Sequence, residues 1–355
     1  MIAVDAMGGD FAPKAAVFGA VRAARAGIAS CLFGDRHQIE RLLDEIDSNW
    51  SRLPLSIEHC SEVVAMGDEP GKAVLKKKDS SLVRAMQAVV DGKASAFFSA
   101  GNSGAVLVAA TLLIGRSEGV LRPALGSFLP SKTGSLFCMD LGANADAKSD
   151  HLEQFALMGS VWVQLIKGIE RPRVALLSNG QEPYKGSLAV KEAYGRLSET
   201  KNILFVGNLE PRDMFDDRAD VLVCDGFVGN VMLKTVQGTA QAVMYWLKRE
   251  VALSWWRRLV GFFSFPIFSG LKKRLDYANK GGAILFGVRY PVIVAHGCSS
   301  EVAIENGLRF TQQVASQKLI AQFNAKFADL AKQQRKPNIL VRALRALFKK
   351  KDENG

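Results

Sequence analysis

The sequence predicts an α/β fold built on a mostly parallel sheet with helices on both faces. Short apolar runs alternate with stretches of helical periodicity along most of the 355 residues. Hydrophobic residues make up 48% of the chain, which is enough to bury a large core. The 32 glycines are spread along the chain, as many tight strand-to-helix turns require.

Eight apolar runs are the predicted strands: 1–6, 30–35, 55–60, 94–102, 135–144, 173–180, 202–208 and 219–230. Helical stretches between them include 14–26 and 151–167, and Asp150 is the expected N-cap of the second. Such alternation requires crossover connections, so the strands run parallel between layers of helices. We expect one unit of two interlocked lobes over 1–335, followed by a basic amphipathic tail over 336–355.

A protruding helical hairpin with an apolar tip is predicted over about 231–280. A long helix starts at 231, and an uncharged, Phe-rich stretch lies between Arg258 and Lys272. That stretch is shorter than the roughly 20 apolar residues that span a bilayer. It could be a buried core segment, a dimer contact or a tip that dips into a membrane surface.

Basic residues on both sides of the tip favour the membrane surface, because cations face anionic head groups and tryptophan prefers the interface. The predicted membrane contacts are Trp255, Trp256, Phe262, Phe263, Phe265, Ile267 and Phe268. The stretch 338–351 is a second candidate for a basic amphipathic helix, or else a solvated tail helix packed on the body.

The composition restricts the partners and the compartment. The net charge of +11 indicates an acidic partner, but the short lysine clusters lack interleaved aromatic residues, which disfavours nucleic acid. The five cysteines and four histidines show no metal-ligand spacing, so we expect no metal site. No signal-peptide pattern precedes the first strand, which predicts a cytoplasmic protein.

Five predicted strands end in turns that share the same residue types. These turns carry Asp5, Gly8 and Gly9; Ser99, Gly101, Asn102 and Ser103; Asp140, Gly142 and Asn144; Asn179 and Gly180; and Asp225, Gly226, Gly229 and Asn230. Glycines after a buried strand let backbone N–H groups converge on an anion. Neither a GxGxxG nor a GxxxxGK[ST] pattern follows a strand, which disfavours dinucleotide and Walker-type nucleotide binding. We expect the turns to form one anion pocket at the rim of the sheet.

Motifs in a fixed order give the chain a family resemblance. "VDAMGGDFAP", "SAGNSGA", "DLGANAD", "DVLVCDGFVGNVMLK", "GGAILFGV" and "AHGCSS" together resemble the bacterial phosphate acyltransferase family of phospholipid synthesis. The resemblance implies a fold like the isocitrate and isopropylmalate dehydrogenases and the phosphotransacetylases. It also implies a cytoplasmic homodimer, peripherally associated with the membrane, that uses no metal or organic cofactor.

The activity implied by the resemblance is the transfer of a long-chain acyl group from acyl carrier protein to inorganic phosphate. The acyl phosphate would then pass to a membrane glycerol-3-phosphate acyltransferase, as the first step toward phosphatidic acid. Exposed basic residues, among them Lys76–Lys78, Lys248, Arg249 and Lys272–Arg274, are the expected contacts for the acidic carrier.

Such a reaction requires amide dipoles and cations that hold phosphate, and donors for the tetrahedral oxyanion. His296 follows a strongly apolar run and could protonate the leaving sulfur or donate to the oxyanion; Asp225 could orient Lys185 or a bound water. The predicted catalytic residues are His296, Lys185, Asn102 and Asp225. The predicted substrate-binding residues are Asp5, Gly8, Gly9, Asp10, Ser99, Gly101, Ser103, Asn144, Gly229 and Asn230.

Structural roles remain open for several of these residues. The glycines could serve turns alone, Asn144 could cap a helix, and Lys185 could be a surface charge. His296 could be a structural histidine, and Asp225 an acid of an Asx turn. Two other functions also remain open: a phosphotransacetylase that uses acetyl-CoA, and a membrane-peripheral lipid-binding protein without enzymatic activity.

Overall fold

The computed structural model describes residues 1–275 and 281–332. In these residues eleven strands form one continuous sheet, in the order β3-β2-β1-β4-β11-β10-β5-β6-β9-β7-β8. The strands are β1 (Ile2–Asp5), β2 (Ser30–Gly34), β3 (Leu55–His59), β4 (Ala96–Ser99), β5 (Ala124–Pro130), β6 (Ser135–Met139), β7 (Arg173–Leu177), β8 (Leu204–Leu209), β9 (Val221–Val223), β10 (Ala283–Phe286) and β11 (Val292–Val294).

Helices connect the strands and cover the sheet. They are α1 (Lys14–Arg25), α2 (Arg36–Ile46), α3 (Pro70–Lys76), α4 (Ser81–Val90), α5 (Ser103–Ala109), α6 (Ser149–Lys167), α7 (Leu188–Ser198), α8 (Gly226–Ala252), α9 (Trp255–Phe263), α10 (Phe265–Leu275) and α11 (Glu301–Ser316). The chain is also helical over 319–332, apart from these named helices.

Two apolar layers cover the two faces of the sheet, because alternate residues of each strand point to opposite sides. Val4 of β1 and Phe98 of β4 pack in one layer with α1, α6 and α11. Ala3 and Phe97 pack in the other layer with α4, α5 and the first turns of α8. The predicted arrangement of helices on both faces is confirmed.

The sheet is mostly parallel, as predicted, but its direction reverses at the centre. All eight predicted strands are present, and the sequence analysis did not include β5, β10 and β11 among its strands. Those three strands take part in the antiparallel pairs β10–β11, β10–β5 and β5–β6. As a result, the C-terminal ends of β1 and β4 point in one direction within the plane of the sheet. Those of β6, β7 and β9 point in the opposite direction.

The N-cap predicted for α6 is wrong by two residues. The helix begins at Ser149, with Lys148 as its N-cap, so Asp150 lies in the first turn. The Asp150 carboxylate accepts a hydrogen bond from the His151 amide at 3.0 Å. An acid at this place interacts favourably with the positive end of the helix dipole, which explains why the sequence pattern resembles a cap.

The helix α8 extends beyond the body of the protein. Its 27 residues give it a length of about 40 Å, yet its buried residues are confined to its first two turns, at Gly226, Gly229, Met232 and Leu233. The helix α9 packs against the end of α8, and α10 follows it. That these helices form a membrane-dipping hairpin stays a prediction.

Parts of the predicted membrane-contacting region and tail lie outside the described residues. These are the side chains of Phe265 and of Lys272–Arg274, residues 276–280 and the whole tail over 336–355. Within 1–275 and 281–332, no helix combines the length and the apolar character needed to cross a bilayer.

Candidate active site

A cavity of about 220 Å³ lies over the centre of the sheet, where the strand direction reverses. Leu125 and Ser127 of β5, Ala283 of β10 and Val294 of β11 form its floor. Its walls come from the turns after β4, β6 and β11, from the start of α8 and from Met66. This volume is large enough for a small anion beside one polar group.

His296 follows β11 and lines the cavity. The amide nitrogen of Gln237 on α8 lies 2.7 Å from the imidazole Nε2. In this orientation of the amide its N–H donates and the ring nitrogen accepts. Burial, and secondly the charge of Lys234, lowers the pKa of His296 below its usual 6.5. The imidazole is therefore mainly neutral near pH 7.

The first turns of α8 supply the other charged and polar groups. Asn230, Lys234 and Gln237 are spaced four and three residues apart, which puts them on one face of the helix. Asn230 and Lys234 line the cavity. Asp225 begins α8 as its N-cap, where its carboxylate accepts a hydrogen bond from the Val228 amide at 2.8 Å.

A glycine allows α8 to approach the sheet closely. A Cβ on Gly229 would lie 1.9 Å from the carbonyl oxygen of Asp140 at the end of β6. No side chain fits there, so Gly229 sets the distance between the helix and the strand. It positions Asn230 and Lys234 over the cavity without lining the cavity itself.

The turn after β6 is held by the buried carboxylate of Asp140. It accepts hydrogen bonds from the backbone amides of Leu125, Gly142, Ala143 and Asn144. The side-chain amide of Asn144 donates to Asp140 at 2.8 Å and to the Pro123 carbonyl at 2.7 Å. Gly142 lines the cavity, whereas Asn144 lies behind it as part of the support.

A second buried carboxylate holds the turns after β1 and β4 together. Asp5 accepts hydrogen bonds from the hydroxyls of Ser81 at 2.6 Å and Ser99 at 2.8 Å. The Ser99 hydroxyl in turn accepts from the Gly101 amide at 2.9 Å. Burial raises the pKa of Asp5. Gly101 lines the cavity, and the carboxylate lies one layer behind it.

The remaining residues predicted in the β1 turn also lie behind the cavity wall. A Cβ on Gly8 would lie 2.9 Å from the Gly101 amide nitrogen, so the two turns pack backbone against backbone. A Cβ on Gly9 would lie 3.2 Å from the Gly297 carbonyl. The Asp10 amide donates to that carbonyl at 2.8 Å.

Asn102 connects α5 to the loop that carries Met66. Its side-chain oxygen caps α5 by accepting from the Ala105 amide at 3.1 Å. Its side-chain nitrogen donates to the carbonyls of Met66 at 3.1 Å and Asp68 at 3.0 Å. Because the side-chain oxygen and nitrogen of Asn102 are both hydrogen-bonded within the protein, the side chain supports a positioning role. The next residue, Ser103, is exposed and lines the cavity.

Lys185 lies outside the cavity lining. It belongs to the turn after β7, and its ammonium lies 5.7 Å from the ring centroid of Tyr184. Among the ion pairs of the described residues, none joins Lys185 to Asp225. The structure therefore brings together four of the predicted residues: His296, Gly101, Ser103 and Asn230.

Lys234 and Gln237 are absent from the residues that the sequence analysis selected. The sequence could have indicated both residues through their spacing, because they lie four and seven positions after Asn230. All three belong to the helix that starts just after β9. Ser127 of β5 and Gly282, just before β10, were not predicted because neither strand was predicted. The Ser127 hydroxyl donates to the Gly282 carbonyl at 3.2 Å.

Comparison with protein families gives one match that covers most of the chain. The family model described as fatty acid synthesis protein matches residues 1–322.

Curated relatives with one shared name match over almost their whole length. A phosphate acyltransferase of Geobacillus thermodenitrificans is 44% identical over 327 residues, which cover 91% of this chain and 98% of the relative. The phosphate acyltransferase of Bacillus subtilis is 42% identical, covering 90% of this chain and 96% of the relative. That of Heliobacterium modesticaldum is 45% identical, covering 90% and 95%.

Solved structures with the same architecture share little sequence with the chain. A phosphotransacetylase from Streptococcus pyogenes aligns with a TM-score of 0.55 at 16% identity, covering 89% of this chain and 94% of the other. A phosphotransacetylase from Staphylococcus aureus aligns with a TM-score of 0.52 at 16% identity, covering 88% and 93%. These likenesses confirm the predicted phosphotransacetylase-like fold.

Proposed function

The chain belongs to the phosphate acyltransferase family, and on that premise we propose that it transfers a long-chain acyl group from acyl carrier protein to inorganic phosphate. The observation that carries this proposal is the cavity over the sheet centre. It combines an ammonium, a neutral imidazole, an amide side chain and glycine turns in a space of about 220 Å³.

Phosphate would occupy the cavity beside α8. Lys234 supplies a positive charge, and Asn230 and Ser103 supply side-chain donors on the same lining. Gly101 and Gly142 shape the wall without donating to the anion, because their amides already bind Ser99 and Asp140. Fixed dipoles and a cation hold a dianion without the reorganisation that water would require.

The neutral state of His296 favours one of its two predicted roles. A neutral imidazole is a weak acid, so it supports donation to the oxyanion of the tetrahedral intermediate rather than protonation of the leaving sulfur. A phosphate oxygen attacks the thioester carbonyl carbon, and the C–S bond then breaks. The proton of hydrogen phosphate passes to the thiolate, which gives acyl phosphate and the free thiol of the carrier.

The cavity is too small for the whole substrate. A volume of about 220 Å³ lies below the roughly 300–1,000 Å³ of pockets that bury a drug-sized ligand, so a long acyl chain and the carrier arm do not both fit inside. The chain and the arm therefore extend outside the cavity.

Thiol release from palmitoyl-acyl carrier protein tests the proposal. We expect release that depends on added phosphate, with acyl phosphate as the product. Acetyl-CoA in place of the carrier substrate separates this activity from that of a phosphotransacetylase. Absence of phosphate-dependent release from the carrier substrate would contradict the proposal and favour a lipid-binding protein without enzymatic activity.

Peripheral association with a membrane surface is part of the proposed function. The large apolar side chains of Trp255, Trp256, Phe262, Phe263 and Ile267 are exposed on α9 and α10. Phe268 is half-buried. Exposed aromatic residues beside Arg257 and Arg258 suit an anionic lipid surface. A cytoplasmic enzyme held there could pass its acyl phosphate to a membrane glycerol-3-phosphate acyltransferase.

A homodimer and an acidic carrier are the proposed protein partners. The net charge of +11 favours encounter with an acidic protein. Lys76, Lys78, Lys248 and Arg249 are exposed and available for such a contact. Lys77 is less available, because its ammonium pairs with Asp68 at 2.6 Å.

A further inference from the structure

Gln237 is a polar residue that the reaction scheme above does not use. It lies on the second turn of α8 beyond Asn230 and is half-buried at the edge of the cavity. Its amide nitrogen lies 2.7 Å from Nε2 of His296, at the short end of hydrogen-bond distances. The residue four positions later, Gln241, is exposed on the same helix.

We propose that Gln237 is a positioning residue that fixes the tautomer of His296, so that Nδ1 carries the proton and donates it in a hydrogen bond to the oxyanion. This inference rests on the proposed function. It assigns to α8 a second task besides carrying Lys234: the helix sets which nitrogen of the imidazole is the donor.

The argument follows from the donor capacity of each group. The neutral imidazole has one N–H and one acceptor nitrogen. Because the Gln237 amide nitrogen donates to Nε2, the ring proton must be on Nδ1. The hydrogen bond that one ring nitrogen makes therefore determines the function of the other, as in other histidine sites.

Lys234 reinforces the same state. Its positive charge opposes a second proton on the ring, which would place an N–H group against the Gln237 donor. The two residues are three positions apart on α8 and act on one imidazole from the same helix. The Asp10 carboxylate lies near the next residue along the chain after His296, since a Cβ on Gly297 would be 3.2 Å from it.

Nitrogen NMR of protein labelled at its histidines tests the tautomer directly. The spectrum of His296 is identified by its loss in His296→Ala, since the chain has only three other histidines. We expect a protonated Nδ1 and an unprotonated Nε2 in the wild type. In Gln237→Leu the proton should move largely to Nε2, and in Gln237→Glu fully, since a carboxylate only accepts. A wild-type spectrum with the proton on Nε2 would overturn the proposal.

Kinetics test whether Gln237 acts through His296. We expect Gln237→Leu to lower kcat about 10- to 100-fold while the KM for phosphate changes less than about twofold. In the His296→Ala background the same substitution should change kcat less than about twofold, because its target is gone. An equal loss of kcat in both backgrounds would contradict the positioning role.

Gln241→Leu is the matched control, because it makes the same change one turn further along an exposed helix face. It should alter neither the spectrum nor kcat. The spectrum requires no substrate, so it can support the tautomer even if the wild type releases no thiol with phosphate. Absence of thiol release with phosphate would contradict only the proposed function.

Discussion

Asp5 and Asp140 are buried carboxylates that organise the residues around the cavity. Each accepts several hydrogen bonds from the turns that it holds, and burial raises the pKa of each. A raised pKa means that the folded state binds the proton more readily than the unfolded state. Each group therefore contributes stability that is present below its unfolded pKa of 3.8 and is lost as pH rises through the folded pKa. The hydrogen bonds limit this loss.

Replacing the serine that links Asp5 to the β4 turn should destabilise the fold. Ser99→Ala removes a donor to the buried carboxylate and the acceptor of the Gly101 amide. We expect the free energy of unfolding to fall by about 2 kcal/mol, measured by urea denaturation. Ser103→Ala is the control, because Ser103 is exposed and its change should stay within about 0.5 kcal/mol. Equal stability of both variants would show that the buried network contributes little.

The pH dependence of kcat should report the ionisation of His296. Its pKa is lowered from 6.5, so the neutral ring persists as pH falls to that lower value. Protonation would then set an N–H group against the Gln237 donor and reduce activity. Lys234→Met removes a positive charge that disfavours the imidazolium, so the loss of kcat should begin at a higher pH. Measurements at saturating phosphate check this, and an unmoved profile would contradict it.

At the scale of elements, α8 determines the geometry of the site. It is seated on the end of β6 through Gly229, and its first turns carry the side chains that face His296. Its later turns have no buried residue and line no part of the cavity. The same helix therefore serves the site at one end and carries the exposed α9 and α10 at the other.

Two glycine substitutions in α8 should have opposite effects. Gly229→Ala forces a Cβ into the Asp140 carbonyl, where it would lie at 1.9 Å, so the helix must shift. We expect a loss of stability of about 3 kcal/mol and a loss of activity. Gly238→Ala meets no atom within 4 Å and should raise stability by about 0.5–1 kcal/mol with activity kept. Thermal unfolding and thiol release measure both, and tolerance of Gly229→Ala would refute the close seating.

At the scale of the whole molecule, the reversal of strand direction creates the cavity. Turns from opposite sides of the sheet reach it because β10 and β5 pair antiparallel to their neighbours at the centre. The cavity lies over these central strands, while the exposed apolar residues lie far along the chain on α9 and α10. The candidate site and the proposed membrane contacts therefore lie on different elements.

Vesicle binding should depend on the exposed apolar residues of α9 and α10. Phe262 is 74% exposed and Ile267 is 72% exposed. The double variant Phe262→Glu, Ile267→Glu should reduce sedimentation with phosphatidylglycerol vesicles by at least about tenfold, because two apolar contacts are lost and two negative charges are added. Leu188→Glu, at a residue that is 73% exposed on α7, is the control and should bind as the wild type does. Unchanged binding of the double variant would contradict the membrane proposal.

Salt should slow the reaction with the carrier substrate. The net charge of +11 accelerates encounter with an acidic carrier, and ions screen that attraction over about 10 Å at 0.1 M salt. We expect kcat/KM for palmitoyl-acyl carrier protein to fall steeply between low and high ionic strength, while kcat changes little. Salt-insensitive kcat/KM would show that charge does not guide the encounter.

The fold class, eight of the strands and the family could be predicted from the sequence alone. Apolar runs with helical stretches between them are local patterns, so β1–β4 and β6–β9 could be located without their partners. The motifs that carry the family resemblance are also local, and relatives at 42–45% identity confirm it. Polar residues at strand ends correctly indicated the turns, of which three contribute to the cavity.

Which of those polar residues line the cavity depends on how the chain packs in three dimensions. Asn102 and Asn144 follow strands just as Gly101 and Gly142 do, but their side chains bind neighbouring backbone groups. The same donors and acceptors suit a ligand or a turn, so residue type cannot separate the two roles. Lys234 and Gln237 became recognisable only when the seating of α8 showed which face of the helix meets His296. Strand direction, too, is set by pairing between segments far apart in the sequence. The residues of the short strands β10 and β11 do not by themselves indicate that the two strands pair antiparallel.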